Sequence, residues 1–167
     1  TYPTQTVRMI VAFPPGGTTD ILARATAQKL TEAFGQQVVI DNRPGAGGNI
    51  GTDQAAKAPA DGYTLVTGNN GTFGANVSLY KKLPFDPVKD FTPIVFLATQ
   101  PNILVVNLNL PVHSVKEFIA YAKERPGKLN YGNSGIGAGP HLAAELFKSM
   151  TGVDLKGIQY KSASPAL

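Results

Sequence analysis

Two stretches carry residue types that can hold an anion. Phe13–Asp20 reads FPPGGTTD, and Asn133–His141 reads NSGIGAGPH. In each, glycines stand just ahead of a segment with helical apolar spacing. The first turn of a helix leaves backbone N–H groups without intrahelical partners, and the helix dipole adds partial positive charge there. Carboxylate or phosphate oxygens dock on such an end. Glycine lets them approach without a Cβ in the way. In the first stretch the donors are Gly16, Gly17, Thr18 and Thr19. Asp20 opposes them, because an acid also favours a helix N-terminus and repels an anion. In the second, Asn133 and Ser134 are polar donors, with Gly135, Gly137 and Ala138 behind them. His141 can donate to an anion or to a loop carbonyl. The plain alternative for both stretches is a tight turn before a capped helix, and a lone histidine is more often structural.

A third candidate, Asn69–Thr72, follows the apolar run YTLVT. Open α/β sheets bind ligands outside the carboxyl ends of strands. Asn70 and Thr72 are therefore expected to orient a ligand body, directly or through water. An ordinary Asn/Gly turn remains the alternative.

Catalytic readings are weaker. FPPGGTTD is neither G-x-G-x-x-G nor a P-loop. Gly132–Ile136 misses G-x-S-x-G, since Ile136 stands where the last glycine belongs. Ser134 with His141 and a distant Asp leaves a hydrolase as the rival reading. His113 and His141 are the only histidines and lack metal-ligand spacing. No metal and no cofactor is expected.

The elements that must position these turns follow from periodicity. Val7–Phe13 (VRMIVAF) reads as a buried parallel strand. Pro14–Gly17 breaks it, and Ile21, Leu22, Ala25, Leu30 and Phe34 then repeat at helical spacing up to Gly35. Val38–Ile40 is a second strand. Short helices are expected at Thr52–Lys57 and Asn76–Tyr80, with a strand at Tyr63–Thr67 between them. Ile94–Ala98 and Ile103–Val106 read as strands. Ser114 caps a helix from Val115 to about Glu124. Leu129–Tyr131, a helix starting near Pro140 and ending at Gly152, and Leu155–Tyr160 complete a second strand–helix–strand unit. Lys161–Leu167 is small and polar. The two units resemble each other weakly, each with a glycine turn before its helix, and could face each other across a cleft.

The 167 residues are 43% hydrophobic and only 16% charged, enough for a packed core and unlike a charged tail. A net charge of +4 suits anionic ligands. Its basic residues form no stripe with aromatics, which disfavours nucleic acid. There are no cysteines, so disulfides and thiolate chemistry are excluded. No apolar run approaches the roughly 18 residues of a membrane span. The chain starts at Thr1 without Met, as expected of a processed secreted protein or a trimmed one.

Four segments in combination resemble one family. They are YPTQTVRMIVAFPPGGTTDILARATAQKL, VVIDNRPGAGGNIGTDQAAKAPADGYTL, LYKKLPFDPVKDFTPI and PGKLNYGNSGIGAGPHLAAELFKSMTG. Together they are similar to the tripartite tricarboxylate transporter substrate-binding proteins, the Bug or TctC family of bacterial periplasmic receptors. The resemblance implies an α/β, two-lobed Venus-flytrap fold of the type II periplasmic-binding-protein class. Residues 1–100 would belong to lobe one and 101–167 would begin lobe two, with the C-terminal part missing. It also implies a pincer of two loops gripping a ligand carboxylate, often through water. Phe13 and Gly16–Asp20 would form one arm, and Ser134, Gly135, Gly137, Ala138 and His141 the other. Asn70, Thr72, Pro101 and Asn102 would line the cleft. The implied ligand is a di- or tricarboxylate, an aromatic carboxylate or an amino-acid carboxylate. Binding would close the lobes, and membrane permease subunits would read the closed form. The implied location is the periplasm, without enzymatic activity. A shortened receptor would expose apolar faces and strand edges, favouring self-association with or without ligand binding.

Overall fold

A computed structural model describes residues 1–160 of the chain. Lys161–Leu167, read above as small and polar, lie outside the described residues. The chain falls into two compact units, Thr1–Leu97 and Ala98–Leu167.

In the first unit, β1 (Val7–Val11), β2 (Val38–Asn42) and β3 (Thr64–Thr67) form a parallel sheet in the order β2-β1-β3. The continuous apolar run of β1 fits its central place, since a middle strand is covered on both faces. Helix α1 (Thr18–Phe34) connects β1 to β2. It buries Ala23 and Ala27 against Val7, Met9, Val11 and Val38. Two alanines one helical turn apart let it lie close to the sheet. Gly35 ends it in the left-handed conformation at φ 64°, its N–H donating to the Thr31 carbonyl at 3.0 Å.

Helix α2 spans Asn49–Ala56 rather than starting at Thr52. A 3-10 turn, Ala46–Gly48, leads into it, and this glycine-driven turn supplies no apolar period to read. Helix α3 (Asn76–Leu79) matches the short helix expected there, but a π-helical turn, Gly71–Ala75, precedes it.

The second unit holds α4 (Val115–Lys123), β4 (Leu129–Asn133), α5 (Gly139–Thr151) and β5 (Leu155–Gln159). The two strands pair in parallel, with Leu129 opposite Leu155 and Asn133 opposite Gln159. Val112, Phe118, Ala122, Val153 and Leu155 form the core. Ser114 caps α4 as expected: its Oγ accepts the Glu117 N–H at 3.2 Å, and Glu117 accepts the His113 N–H at 2.8 Å.

The strands expected at Ile94–Ala98 and Ile103–Val106 are absent. Their β-branched and apolar residues have the propensity, but a strand exists only with a ladder partner, and none is found among the described residues. Their side chains stay exposed: Ile94 by 76% and Ile103 by 80%.

Candidate functional site

The first unit gathers three turns at one sheet edge. Its strands are parallel, so Val11, Asn42 and Thr67 all stand at carboxyl ends, and Val11 pairs with both of the others. The turns at residues 12–17, 43–48 and 68–72 therefore leave from one edge, where open α/β sheets take their ligands.

In the 12–17 turn, Gly17 is the extended N-cap of α1, and no side chain caps the helix. The Ile21 N–H takes the Gly17 carbonyl at 3.0 Å. The amides of Thr18, Thr19 and Asp20 are left outside the helical ladder. Gly16 stands at φ 80°, a left-handed conformation that suits glycine. Its N–H is committed, donating to Asp20 Oδ2 at 2.9 Å. Gly16, expected as a donor, therefore has no free N–H, whereas those of Thr18 and Thr19 lie outside the helical ladder.

Asp20 does not present its carboxylate to solvent. It is 2% exposed. Besides Gly16, Oδ2 accepts Arg24 Nε at 2.9 Å, and Oδ1 accepts Asn42 Nδ2 at 2.8 Å. Asn42 Nδ2 also reaches the Phe13 carbonyl at 3.1 Å, and Arg24 Nη2 reaches Asn42 Oδ1 at 3.0 Å. Burial pushes the Asp20 carboxyl up; the hydrogen bonds from Arg24, Gly16 and Asn42 and the Arg24 charge outweigh it, giving about 2. The acid expected to oppose an anion is ionised and is neutralised by Arg24.

Thr72 differs from expectation. It is fully buried, its hydroxyl accepts the Asn69 N–H at 3.1 Å, and it is unavailable to orient a ligand. Asn69 Oδ1 in turn accepts the N–H groups of Gly71 and Thr72 at 2.9 and 3.0 Å. The polar strand end is an Asx turn that ties itself together, while Asn70 stays exposed. The 43–48 turn, not singled out from sequence, joins this edge. Gly48 stands at φ 92°, where a Cβ would overlap Thr72 Cγ2 and lie 3.1 Å from Phe13 Cζ. Asn76 Nδ2 binds the Gly47 carbonyl at 3.0 Å and Asn49 Oδ1 at 2.7 Å beneath it.

In the second unit, the turn after β4 leads into α5. Ala138 is the N-cap, and the Leu142 N–H takes its carbonyl at 3.0 Å. Pro140 has no N–H, so the Gly139 and His141 amides are left outside the ladder. Three donors expected to face a ligand are spent within the turn. Gly135 N–H goes to Asn133 Oδ1 at 2.9 Å, Ala138 N–H to the Gly135 carbonyl at 3.2 Å, and Gly137 N–H to His141 Nδ1 at 3.3 Å. Asn133 is 2% exposed, and its Nδ2 finds no acceptor among the described residues. Pro101 and Asn102 are exposed, and the Asn102 amide lies 3.7 Å from where a Cβ on Gly139 would sit. Tyr131 anchors α5 to β4 by donating to Glu145 at 2.7 Å. Burial and that bond push its hydroxyl up to about 12.

Among the described residues no three His, Cys, Asp or Glu side chains gather, and no helix is long and apolar enough to cross a membrane. Arg24, Asn42 and Gly48 escaped the sequence reading. Arg24 had a signal, an Asp–Arg pair at i,i+4. Asn42 had none, because its role depends on its register opposite Val11.

A family model described as "Tripartite tricarboxylate transporter family receptor" matches residues 22–167. The chain belongs to that family. It is 41% identical to Protein BugT of Bordetella pertussis, over 100% of this chain and 52% of that protein. It is 39% identical to the UPF0065 protein in the tcbD-tcbE intergenic region of Pseudomonas sp. (strain P51), over 99% of this chain and 49% of that protein. The chain thus spans about half the length of these curated relatives. Among solved structures, R. palustris Rpa4515 with adipate is 47% identical with a TM-score of 0.94, covering 99% of this chain and 56% of that one. MatC (Rpa3494) from Rhodopseudomonas palustris with bound malate is 34% identical with a TM-score of 0.89, over the same shares. The α/β periplasmic-binding-protein fold implied by the sequence resemblance is therefore the fold of this receptor-family chain.

Proposed function

We propose that this chain captures a small organic anion in the periplasm, as receptor for a tripartite tricarboxylate-type transporter whose permease subunits accept the ligand. The observation that carries the reading is the repeated turn. In each unit a glycine turn leaves the carboxyl end of a parallel strand and opens a helix with unladdered amides. Oxygen anions are the chemical match for such an end. The buried, unpartnered Nδ2 of Asn133 adds a donor to the second turn. That similar proteins were solved with adipate and malate supports a carboxylate.

On this reading, Thr18 and Thr19 donate from the first turn, by amide and hydroxyl. Ser134 and the Gly139 amide donate from the second. Asn70 and Asn102 contact the ligand body. No covalent step is involved. A Ser134 hydrolase would need an unprotonated imidazole nitrogen as base, whereas His141 Nδ1 already accepts the Gly137 N–H.

Calorimetric titration with adipate, malate and neutral dimethyl adipate tests the reading. Saturable, salt-sensitive heat with a dianion and none with the diester is the expected result. Silence toward every organic acid at millimolar concentration refutes it. Ester hydrolysis that disappears in Ser134→Ala would instead favour the enzyme.

A further inference from the structure

We propose that Asp20 and His141 are matched positioning residues, each fixing its turn by accepting the amide proton of the left-handed glycine four residues earlier. The correspondence is position by position. Asp20 is the third residue of α1, and His141 is the third residue of α5. Gly16 and Gly137 each immediately precede the N-cap of their helix, with φ of 80° and 79°. Gly16 N–H reaches Asp20 Oδ2 at 2.9 Å, and Gly137 N–H reaches His141 Nδ1 at 3.3 Å. Their sequences, GGTTD and GAGPH, share only the first glycine.

The pattern is a capping box displaced by one residue. In the usual box the side chain of the third helical residue returns to the N–H of the N-cap. Here it returns one residue further, to the glycine before the cap. The same reach occurs in α4, where Glu117 accepts the His113 N–H at 2.8 Å; what the two glycine turns share beyond it is a left-handed residue before the cap. The side chain is thereby spent on the turn, and the amides of the first helical residues stay available.

The two turns use different acceptors. Asp20 makes a charge-assisted bond, and the family of contacts around it is closed by Arg24 and Asn42. Arg24 neutralises the carboxylate at 2.9 Å, so the acid does not repel an incoming anion. Asn42, held opposite Val11, joins the network to the Phe13 carbonyl at the other end of the turn. The second turn has no acid in the first turn of its helix, and the His141 imidazole Nδ1 serves as acceptor. Neither Asp20 nor His141 touches ligand in this scheme. Its consequence for affinity rests on the anion-capture reading; its consequence for the glycine amides does not.

The experiment compares Asp20→Ala with Asp20→Asn, and His141→Ala with His141→Asn, in the 15N-labelled chain. Asparagine keeps an acceptor oxygen near the lost one; alanine keeps none. Hydrogen exchange is followed at Gly16 and Gly137. Gly35 and Gly152, whose N–H groups cap the far ends of the same helices at 3.0 and 2.8 Å, are the internal references. The alanine variants are expected to exchange about tenfold faster at their own turn glycine, with the references unchanged. The asparagine variants recover most of that protection. Adipate affinity is expected to fall about tenfold in each alanine variant and less in its asparagine counterpart.

Unchanged exchange at the turn glycine overturns the proposal. So does equal acceleration at Gly35 or Gly152, which would mean general loosening. Tighter adipate binding in both Asp20 variants would mean that charge alone acts, and also overturns it. If the unaltered chain takes up no adipate, anion capture fails, while the exchange measurements still decide the positioning role.

Discussion

Replacing Gly48 by Ala should damage the carboxyl edge of the first sheet, and the structure says by how much. Gly48 stands at φ 92°. Left-handed backbone costs an L-residue about 1 kcal/mol or somewhat more. The new Cβ would also overlap Thr72 Cγ2 and press on Phe13 Cζ at 3.1 Å. Thr72 cannot step aside cheaply, being fully buried with its hydroxyl tied to Asn69. Overpacking of this kind costs about 1–3 kcal/mol. Gly48→Ala should therefore lose about 2–4 kcal/mol in all. Thr72→Ser alone removes one buried methyl but keeps the hydroxyl, for about 1 kcal/mol. The double variant removes the methyl that the Cβ meets. Its loss should fall short of the sum of the single losses by about 1–2 kcal/mol, as contacting residues do. Phe13 and Ala12 Cβ, 3.5 Å from the new Cβ, still resist, so the relief is incomplete. Equilibrium urea unfolding followed by far-ultraviolet circular dichroism measures all four proteins, the chain lacking tryptophan. Losses that simply add would refute the packing argument, placing the whole cost in the backbone conformation.

Acid should weaken the first unit through Asp20. Its carboxyl lies at about 2 against an ordinary 3.8, so the protonated form is the less favourable one in the fold. The sign follows: this contribution, about 2 kcal/mol, is present above about pH 4 and is lost as pH falls toward 2. Asp20→Asn should flatten that limb of the unfolding profile; an unchanged profile would place the acid sensitivity elsewhere. Ser114→Ala should cost about 1 kcal/mol by removing the cap of α4, and a melt identical to that of the unaltered chain would contradict the capping bond.

The local pieces were largely legible, and particular residues show why. Gly35 and Gly152 end their helices in left-handed conformations at φ 64° and 71°, as glycine after an apolar period should. Ser114 was readable as the cap of α4, and its side chain accepts the Glu117 N–H. The early start of α2 was not readable, because a turn built on Gly45, Gly47 and Gly48 leaves no apolar period. At the candidate site, both turns were legible as helix-opening glycine loops. Which amides remain for a ligand was not. Gly16, Gly135, Gly137 and Ala138 carried the right chemistry, yet each N–H is taken by an acceptor within its own turn or helix start.

Residue order by itself determined where β1, α1 and α5 form and which turns open a helix with unladdered amides. Those outcomes depend on apolar period, on glycine's access to positive φ and on proline's missing N–H, all properties of neighbours along the chain. Tertiary structure decided the rest. It set Asn42 opposite Val11 and thereby gave Asp20 its third hydrogen-bonding partner, beside Gly16 and Arg24. It buried Thr72 under Gly48, and it left Ile94–Ala98 and Ile103–Val106 without ladders among the described residues. A ladder, a buried hydroxyl and a neutralised acid each require a partner distant in sequence, and only folding supplies one.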